Sequence, residues 1–327
     1  MLFELSPGAN DRWEESALFN FAKTTGGASP QPLLPDGHGN LFGATDALEP
    51  GSPAHIFELT PGSGGWEFTP IYAPSGDCLV FDQTGNLYGC IGEGNYDHGA
   101  IAELSPGSNG WTYTDLYDFC KFGCPDGIQP ESPLSWDQQG NLYGTTLQGG
   151  NGYGVAFRMT PNGDGTWTYH VLHRFGSFQN DGTLPNAGLV LDDAGNAYGA
   201  TVAGGTYNCG IVFKLEPSGG HWKERVLYDF GGSWSRGCAP RFTLALDPAG
   251  NLYGSNQGGD PNCGPCGVIF KLAPQKSGKW KYSAVHTLHG DDGAGPYGVI
   301  LDSEGNIFGT TGAGGKYSWG VAFEITP

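Results

Sequence analysis

The sequence predicts an all-β fold, a six-bladed β-propeller of four-stranded antiparallel blades. Three observations lead there. The pentad Gly140-Asn141-Leu142-Tyr143-Gly144 recurs in near copies at Gly39, Gly85, Gly195, Gly250 and Gly305, with successive spacings of 46, 55, 55, 55 and 55 residues. A period of this length marks stacked supersecondary units. Each unit also carries the same short β-branched and aromatic runs, alternating with period two and punctuated by Gly and Pro, which read as four strands with almost no helix signal. Finally, the sixth unit stops after Val321 to Thr326, and the aromatic strand it lacks is supplied by residues 13 to 21, so that N- and C-terminal strands close one blade and cover the sheet edge.

The strand order follows from the fourth unit: an apolar inner strand, Leu189 to Asp192; the Gly-Asn turn and the Tyr-Gly strand, Asn196 to Thr201; the Gly204-Gly205 loop; a Phe-x-Leu strand, Ile211 to Leu215; Trp222; and an aromatic outer strand, Val226 to Phe230. The blades fall at approximately 31–72, 77–119, 131–175, 186–230, 241–289, and 296–326 completed by 1–21, in one domain over 1–327. The second unit is short because its entry loop, Ala73 to Gly76, lacks the Asp-Gly-x-x-Pro segment of the others. The Phe-x-Leu strand has seven copies for six places, so Leu2 to Leu5 and Val321 to Thr326 compete for one position. The C-terminal copy is expected to take it, with residues 13 to 21 outside it. Residues 1 to 5 are then displaced, free to fray or to pair with another molecule, so that the chain is a monomer or self-associates through that strand.

The composition suits turns and short strands: 58 of 327 residues are Gly and only 15% are charged, against a usual ~25%. A formal net charge of -18 with no dense Lys/Arg patch excludes nucleic acid as a natural partner. No apolar run approaches the roughly 20 residues of a membrane helix, so no transmembrane segment is expected. Residues 1–5 do not read as a signal peptide, and a leader and anchor are expected to be missing from this chain.

Eight cysteines favour an oxidising compartment. Cys78 and Cys90 flank one hairpin at equal distance from its turn, and Cys120 and Cys124 close a short loop; both pairs are expected to be disulfides. Cys209 with Cys238 and Cys263 with Cys266 are provisional, since the small ring between the last two could send one of them to Cys238. A four-thiolate zinc site is the alternative, because Cys263-Gly-Pro-Cys266 has ligand spacing.

The repeat as a whole, Val226 to Phe230, Asp181-Gly182, Gly188 to Asp192, Gly195 to Gly199 and Gly210 to Leu215, resembles the GloVer tandem repeat of bacterial extracellular proteins. The resemblance covers essentially the whole chain. It implies a secreted or cell-surface propeller of unassigned activity, with no catalytic motif to carry over.

Residues present in every unit serve the unit; residues present once can serve a ligand. Asp36, Asp82, Asp137, Asp192, Asp247 and Asp302 could form a carboxylate ring, but each opens a turn with Gly at its fourth position, which is type I turn chemistry. Trp13, Trp66, Trp111, Trp167, Trp222 and Trp280 recur after the outer Pro-Gly turns, where a large ring covers the gap to the next blade. The candidate ligand-binding residues are Tyr153, Tyr207, Trp234, Tyr317 and Trp319 in loops of one face, and the set at the starts of the inner strands, Gln31, Asp77, Glu131, Asn186, Arg241 and Tyr297. Flat aromatics with a polar rim suit sugar rings, although loop aromatics also pack on their neighbours and a polar channel mouth can simply be hydrated. Glu131 and Arg241 could form an ion pair.

Asp97-His98 is the sole carboxylate and imidazole adjacency of interest, and His170, His173, His286 and His289 fall in or beside outer strands of different blades. No cofactor and no metal site are therefore expected. The leading reading is a secreted or cell-surface binding module with a glycan as ligand. The others are a polysaccharide hydrolase or lyase, using Glu131, Asp97 or His98 as acid or base with Arg241 holding a carboxylate, and a structural protein of the cell envelope.

Overall fold

A computed structural model describes residues 2–9, 13–21, 32–45, 55–72, 76–92, 94–231, 237–258 and 266–326. Their strands are arranged as the repeat predicts, no helix occurs among them, and the fold is a six-bladed β-propeller. The chain divides into two compact units, Met1–Asp118 and Phe119–Pro327.

The first unit holds a hairpin and two blades. Leu2–Pro7 pairs with Trp13–Phe19. Blade one is Leu34–Pro35, Leu41–Thr45, His55–Gly62 and Gly65–Tyr72; blade two is Gly76–Phe81, Leu87–Ile91, Ala100–Gly107 and Gly110–Asp118. The second unit holds blade three (Ser135–Trp136, Leu142–Thr146, Val155–Pro161, Trp167–Arg174), blade four (Val190–Leu191, Ala197–Ala200, Ile211–Ser218, His221–Asp229) and blade five (Ala245–Leu246, Leu252–Asn256, Val268–Pro274, Trp280–Thr287). It ends in a three-stranded sheet, Ala294–Leu301, Ile307–Ala313 and Ala322–Ile325. The sixth repeat is thus divided between the chain ends.

One expectation needs correcting. Residues 2 to 7 are not displaced: they pair along their whole length with Trp13–Phe19. Leu2 is buried and joins Phe57 and Leu59 in a cluster that Phe19, Phe21 and Phe68 complete. The strand stays because its partner is local in sequence and its side chain has a core to enter.

The pentad is explained residue by residue. Asp137 closes its turn by accepting the Gly140 N–H on its backbone carbonyl. Its side chain accepts the N–H groups of Gln139 and Asn141 on Oδ1, and the Asn141 amide (2.7 Å) and the Tyr143 hydroxyl (3.1 Å) on Oδ2. All six turn aspartates accept both the backbone and side-chain N–H of the Asn four residues on, so they are turn residues and not a carboxylate ring. The final Gly of the pentad lies across from the Phe of the third strand: a Cβ on Gly144 would stand 2.6 Å from the Phe157 ring, and the same holds at Gly199 with Phe213 and Gly254 with Phe270. Only a residue without a side chain lets that ring lie on the sheet.

Two of the repeated tryptophans of the second unit bridge neighbouring blades as expected, whereas Trp167 meets Trp136 of its own blade. Trp222 of blade four meets Tyr143 of blade three, and Trp280 of blade five meets Tyr198 of blade four, each at 6.2 Å between ring centroids. Disulfides join Cys78 to Cys90, Cys120 to Cys124, and Cys209 to Cys238. Cys78 does not face Cys90 directly: a bulge puts Asp77 opposite Cys90, with Cys78 next to it at a φ of 60°. Cys266 is disulfide-bonded too, and Cys263 lies outside the described residues.

Candidate functional site

Two places in the second unit combine exposed or ionisable side chains in ways that the repeat does not require. The first is the loop end. Loops between second and third strands, and the segments that enter each blade, leave the same end of their sheets. The entry segments lie against one another: the Pro133 carbonyl stands 2.5 Å from where a Gly188 Cβ would be, Gly188 donates its N–H to Thr243 Oγ1 at 3.0 Å, and Phe242 meets the Tyr297 ring edge-on at 5.3 Å. Hydroxyls fix this order. Thr145 Oγ1 donates toward the carbonyls of Pro185 and Ala187, and Ser255 Oγ donates to the Tyr297 carbonyl at 2.6 Å.

The contacts bring Glu131, Asn186, Arg241 and Tyr297 onto successive, touching segments. Glu131, Arg241 and Tyr297 are exposed, and Asn186 is half-buried. Although Glu131 as a whole is exposed, desolvation holds its carboxyl above the usual value. No ion pair joins Glu131 to Arg241 among the described residues. Gln31 lies outside the described residues; Asp77 belongs to the first unit, in an inner strand, and its side chain is likewise not described.

The loop aromatics take two forms. Tyr153 and Tyr207 lie on glycines that follow the outer strands, Gly176 and Gly231, where an added Cβ would come within 2.4 Å of either tyrosine. Those glycines have φ of 72° and 128°, and the rings above them keep 49% and 59% of their surface exposed. Tyr317 and Trp319, in the last loop, are 72% and 90% exposed. Tyr207 and Tyr317 occupy equal places in their Gly-Gly loops, as Tyr96 does in the first unit, so tyrosine there belongs to the repeat; Trp319 does not. Trp234 lies outside the described residues.

The second place lies between the outer parts of blades three and four. The outer strand of each of the five blades, and the second strand of the N-terminal hairpin, carries a β-bulge, and the residue beyond it is Phe19, Tyr72, Tyr117, His173, Tyr228 or His286; of these Phe19, Tyr72, His173 and Tyr228 reach a side chain of the next blade. The facing position, opposite the last buried apolar residue of the third strand, is Phe68, Tyr113, Tyr169, Glu224 or Tyr282. Phe19 stacks on Phe68, Tyr72 on Tyr113 and Tyr228 on Tyr282, with ring planes 14°, 3° and 16° apart.

Between blades three and four the stack is replaced. His173 Nε2 is 3.2 Å from Asp181 Oδ2 and 3.6 Å from Glu224 Oε2, and the three side chains are 13%, 1% and 2% exposed. Burial, together with the Asp181 charge, holds the Glu224 carboxyl well above the usual carboxylate range. Treating the four histidines as isolated on their strands missed this cluster, because Asp181 and Glu224 come from other segments. The discoverable signal was Glu224, the one non-aromatic residue at its position in the five blades.

A 760 Å³ cleft at the turn end of blades four and five, lined by Tyr198, Lys214, Glu216, Arg225 and Trp280, offers neither arrangement; Glu216 is occupied there by Lys214 and Arg225.

Comparison with solved structures finds the same fold in proteins of distant sequence. A Lactobacillus plantarum protein aligns over 98% of this chain and 90% of its own, at 13% identity and a TM-score of 0.60. A candidate 6-phosphogluconolactonase from Bacteroides uniformis aligns over 90% and 83%, at 12% identity and a TM-score of 0.56. The Hadza microbial sialidase Hz136 aligns over 91% and 65%, at 13% identity and a TM-score of 0.50. No curated protein matches the sequence. The family model for the Gloeobacter/Verrucomicrobia repeat matches residues 67–232 and 151–327, the stretch that carries the pentads from Gly85 on, and the chain belongs to that repeat family.

Proposed function

We propose that this protein is an extracellular or cell-surface binding module that takes a glycan at the loop end of its blades. The observation that carries the reading is Trp319, 90% exposed in a loop where the repeat itself supplies only a tyrosine, beside Tyr317 at 72%. An indole left in water offers a flat apolar face with an N–H at its edge, which is the surface a sugar ring stacks on. Tyr153 and Tyr207 add rings that their glycine seats already orient, so less side-chain freedom is lost on binding. Asn186, Glu131 and Arg241, on the entry segments at the same end of the blades, would supply hydrogen-bonding groups. Three disulfides and the repeat family support the extracellular setting.

The reading is tested by a glycan array followed by calorimetric titration of the best ligand. Trp319→Ala and Tyr317→Ala should each weaken binding roughly tenfold, the equivalent of about 1.4 kcal/mol. Unchanged affinity in both would remove the aromatic platform. A polysaccharide-cleaving enzyme is the second reading, favoured by the raised Glu131 carboxyl, which could hold a proton for a leaving group. Release of reducing ends by the wild type, lost in Glu131→Gln, would establish it.

A further inference from the structure

We propose that His173, Asp181 and Glu224 form a binding site for a divalent transition-metal ion of the zinc type, seated between blades three and four. The inference is independent of the glycan reading.

Four observations carry it. First, the donor spacing fits. Ligands about 2.0–2.1 Å from a tetrahedral ion stand about 3.3 Å apart, and the imidazole nitrogen lies 3.2 and 3.6 Å from the two carboxylates, with all three donor atoms within 4.8 Å of one another. Second, the donor set is one imidazole and two carboxylates, a combination that suits zinc and leaves a fourth position for water.

Third, Glu224 is buried with few partners. Its side chain is 2% exposed, and the groups within reach of its carboxyl are Asp181, a second buried carboxylate, and His173. Two buried carboxylates side by side repel, and a divalent ion between them would offset that repulsion. Fourth, the repeat shows that the position does not need a carboxylate. Three equivalent slots among the described residues are closed by stacked aromatics, Phe19 on Phe68, Tyr72 on Tyr113 and Tyr228 on Tyr282, so Glu224 stands where a ring packs elsewhere.

The surroundings hold the ligands in place. Asp181 Oδ2 accepts the Ser177 N–H at 2.8 Å, and the Asp181 carbonyl accepts the Gly205 N–H at 2.9 Å. The edge of Phe175, 4.8 Å from the His173 ring at 83°, fixes the imidazole plane. Such outer contacts set ligand orientation as much as the ligands themselves. His173 is the most exposed of the three and marks the side from which an ion would enter. In blade five the matching imidazole, His286, has its own aspartate, Asp292, at 2.7 Å, which makes that pair an internal control.

The test is calorimetric titration of zinc into the chelator-treated protein, with melting followed in parallel. The expected result is one tight site whose occupation raises the melting temperature. Glu224→Gln and Glu224→Tyr should each weaken that site roughly 100-fold or more, the upper end of the cost of losing even an outer partner. The tyrosine variant restores the slot found elsewhere in the repeat and should stay folded without metal. His286→Asn should leave the tight site intact. Absence of a tight site, or a site that keeps the wild-type affinity in both Glu224 variants, would overturn the proposal and leave Asp181 and Glu224 as a pair sharing a proton.

Discussion

Asn196 grips Asp192 twice: its side-chain amide donates to Asp192 Oδ2 at 2.7 Å and its backbone N–H donates to Oδ1 at 2.9 Å. The pair closes the turn of blade four, and every other pentad repeats it. Asn196→Ala removes the amide donor and leaves the backbone one. A loss of about 1 kcal/mol is expected in urea denaturation, the usual net worth of one such bond. No loss would mean that the backbone bonds alone hold the turn.

The same turns set an acid limit. Burial raises the carboxyl pKa values of Asp36, Asp192, Asp247 and Asp302, but the asparagine and backbone donors outweigh it and the net shift is downward. A group whose pKa is lower folded than unfolded stabilises the fold above the unfolded value, and loses that contribution as the pH falls through the folded one. Stability should therefore drop from about pH 4 downward. Melting followed from pH 6 to pH 2 checks this, and an Asp192→Asn, Asp247→Asn double variant should show a shallower slope.

Gly144 should not tolerate a methyl group, because Phe157 occupies that space. Gly144→Ala is expected to cost about 1–3 kcal/mol, the range for overpacking. Blade two sets Ala102, in place of a phenylalanine, opposite its pentad glycine, Gly89. Gly89→Ala should cost less, and equal losses at the two sites would refute the packing explanation.

The N-terminal strand should matter to stability. Leu2→Ala empties a position that is 9% exposed and shared with Phe57 and Leu59, so a loss of about 2 kcal/mol or more is expected. Deleting residues 1–8 should lower melting further. An unchanged melting temperature would place the strand outside the cooperative fold.

The strands, the turn aspartates and the bridging tryptophans were legible because each is a repeated, local pattern. A type I turn is written within four residues, and a strand within six. The fate of Leu2–Pro7 was not legible: two copies of one strand pattern competed, and local pairing with Trp13–Phe19 decided what pattern matching could not. Tyr207 and Tyr317 were grouped with the unrepeated residues although they share one place in their loops with Tyr96. Asp181 and Glu224 stayed invisible as a pair because one comes from a loop after blade three and the other from the outer strand of blade four, and they meet at His173, the residue beyond a bulge. Had the outer strands been aligned on that bulge, the glutamate among aromatics would have stood out.

The slots between blades also bear on how this chain assembles. Units copied from one repeat present each other with nearly interchangeable faces, and such chains risk docking the wrong neighbours as they fold. The face that carries His173 and Asp181 accepts Glu224, whereas the face that carries Tyr228 would bury the same carboxylate against a phenol ring. One misfit of that kind makes the wrong order costly, much as a single polar residue fixes the register of a coiled coil. Blade three and blade four are thereby marked as neighbours, and one odd residue gives direction to an otherwise repetitive chain.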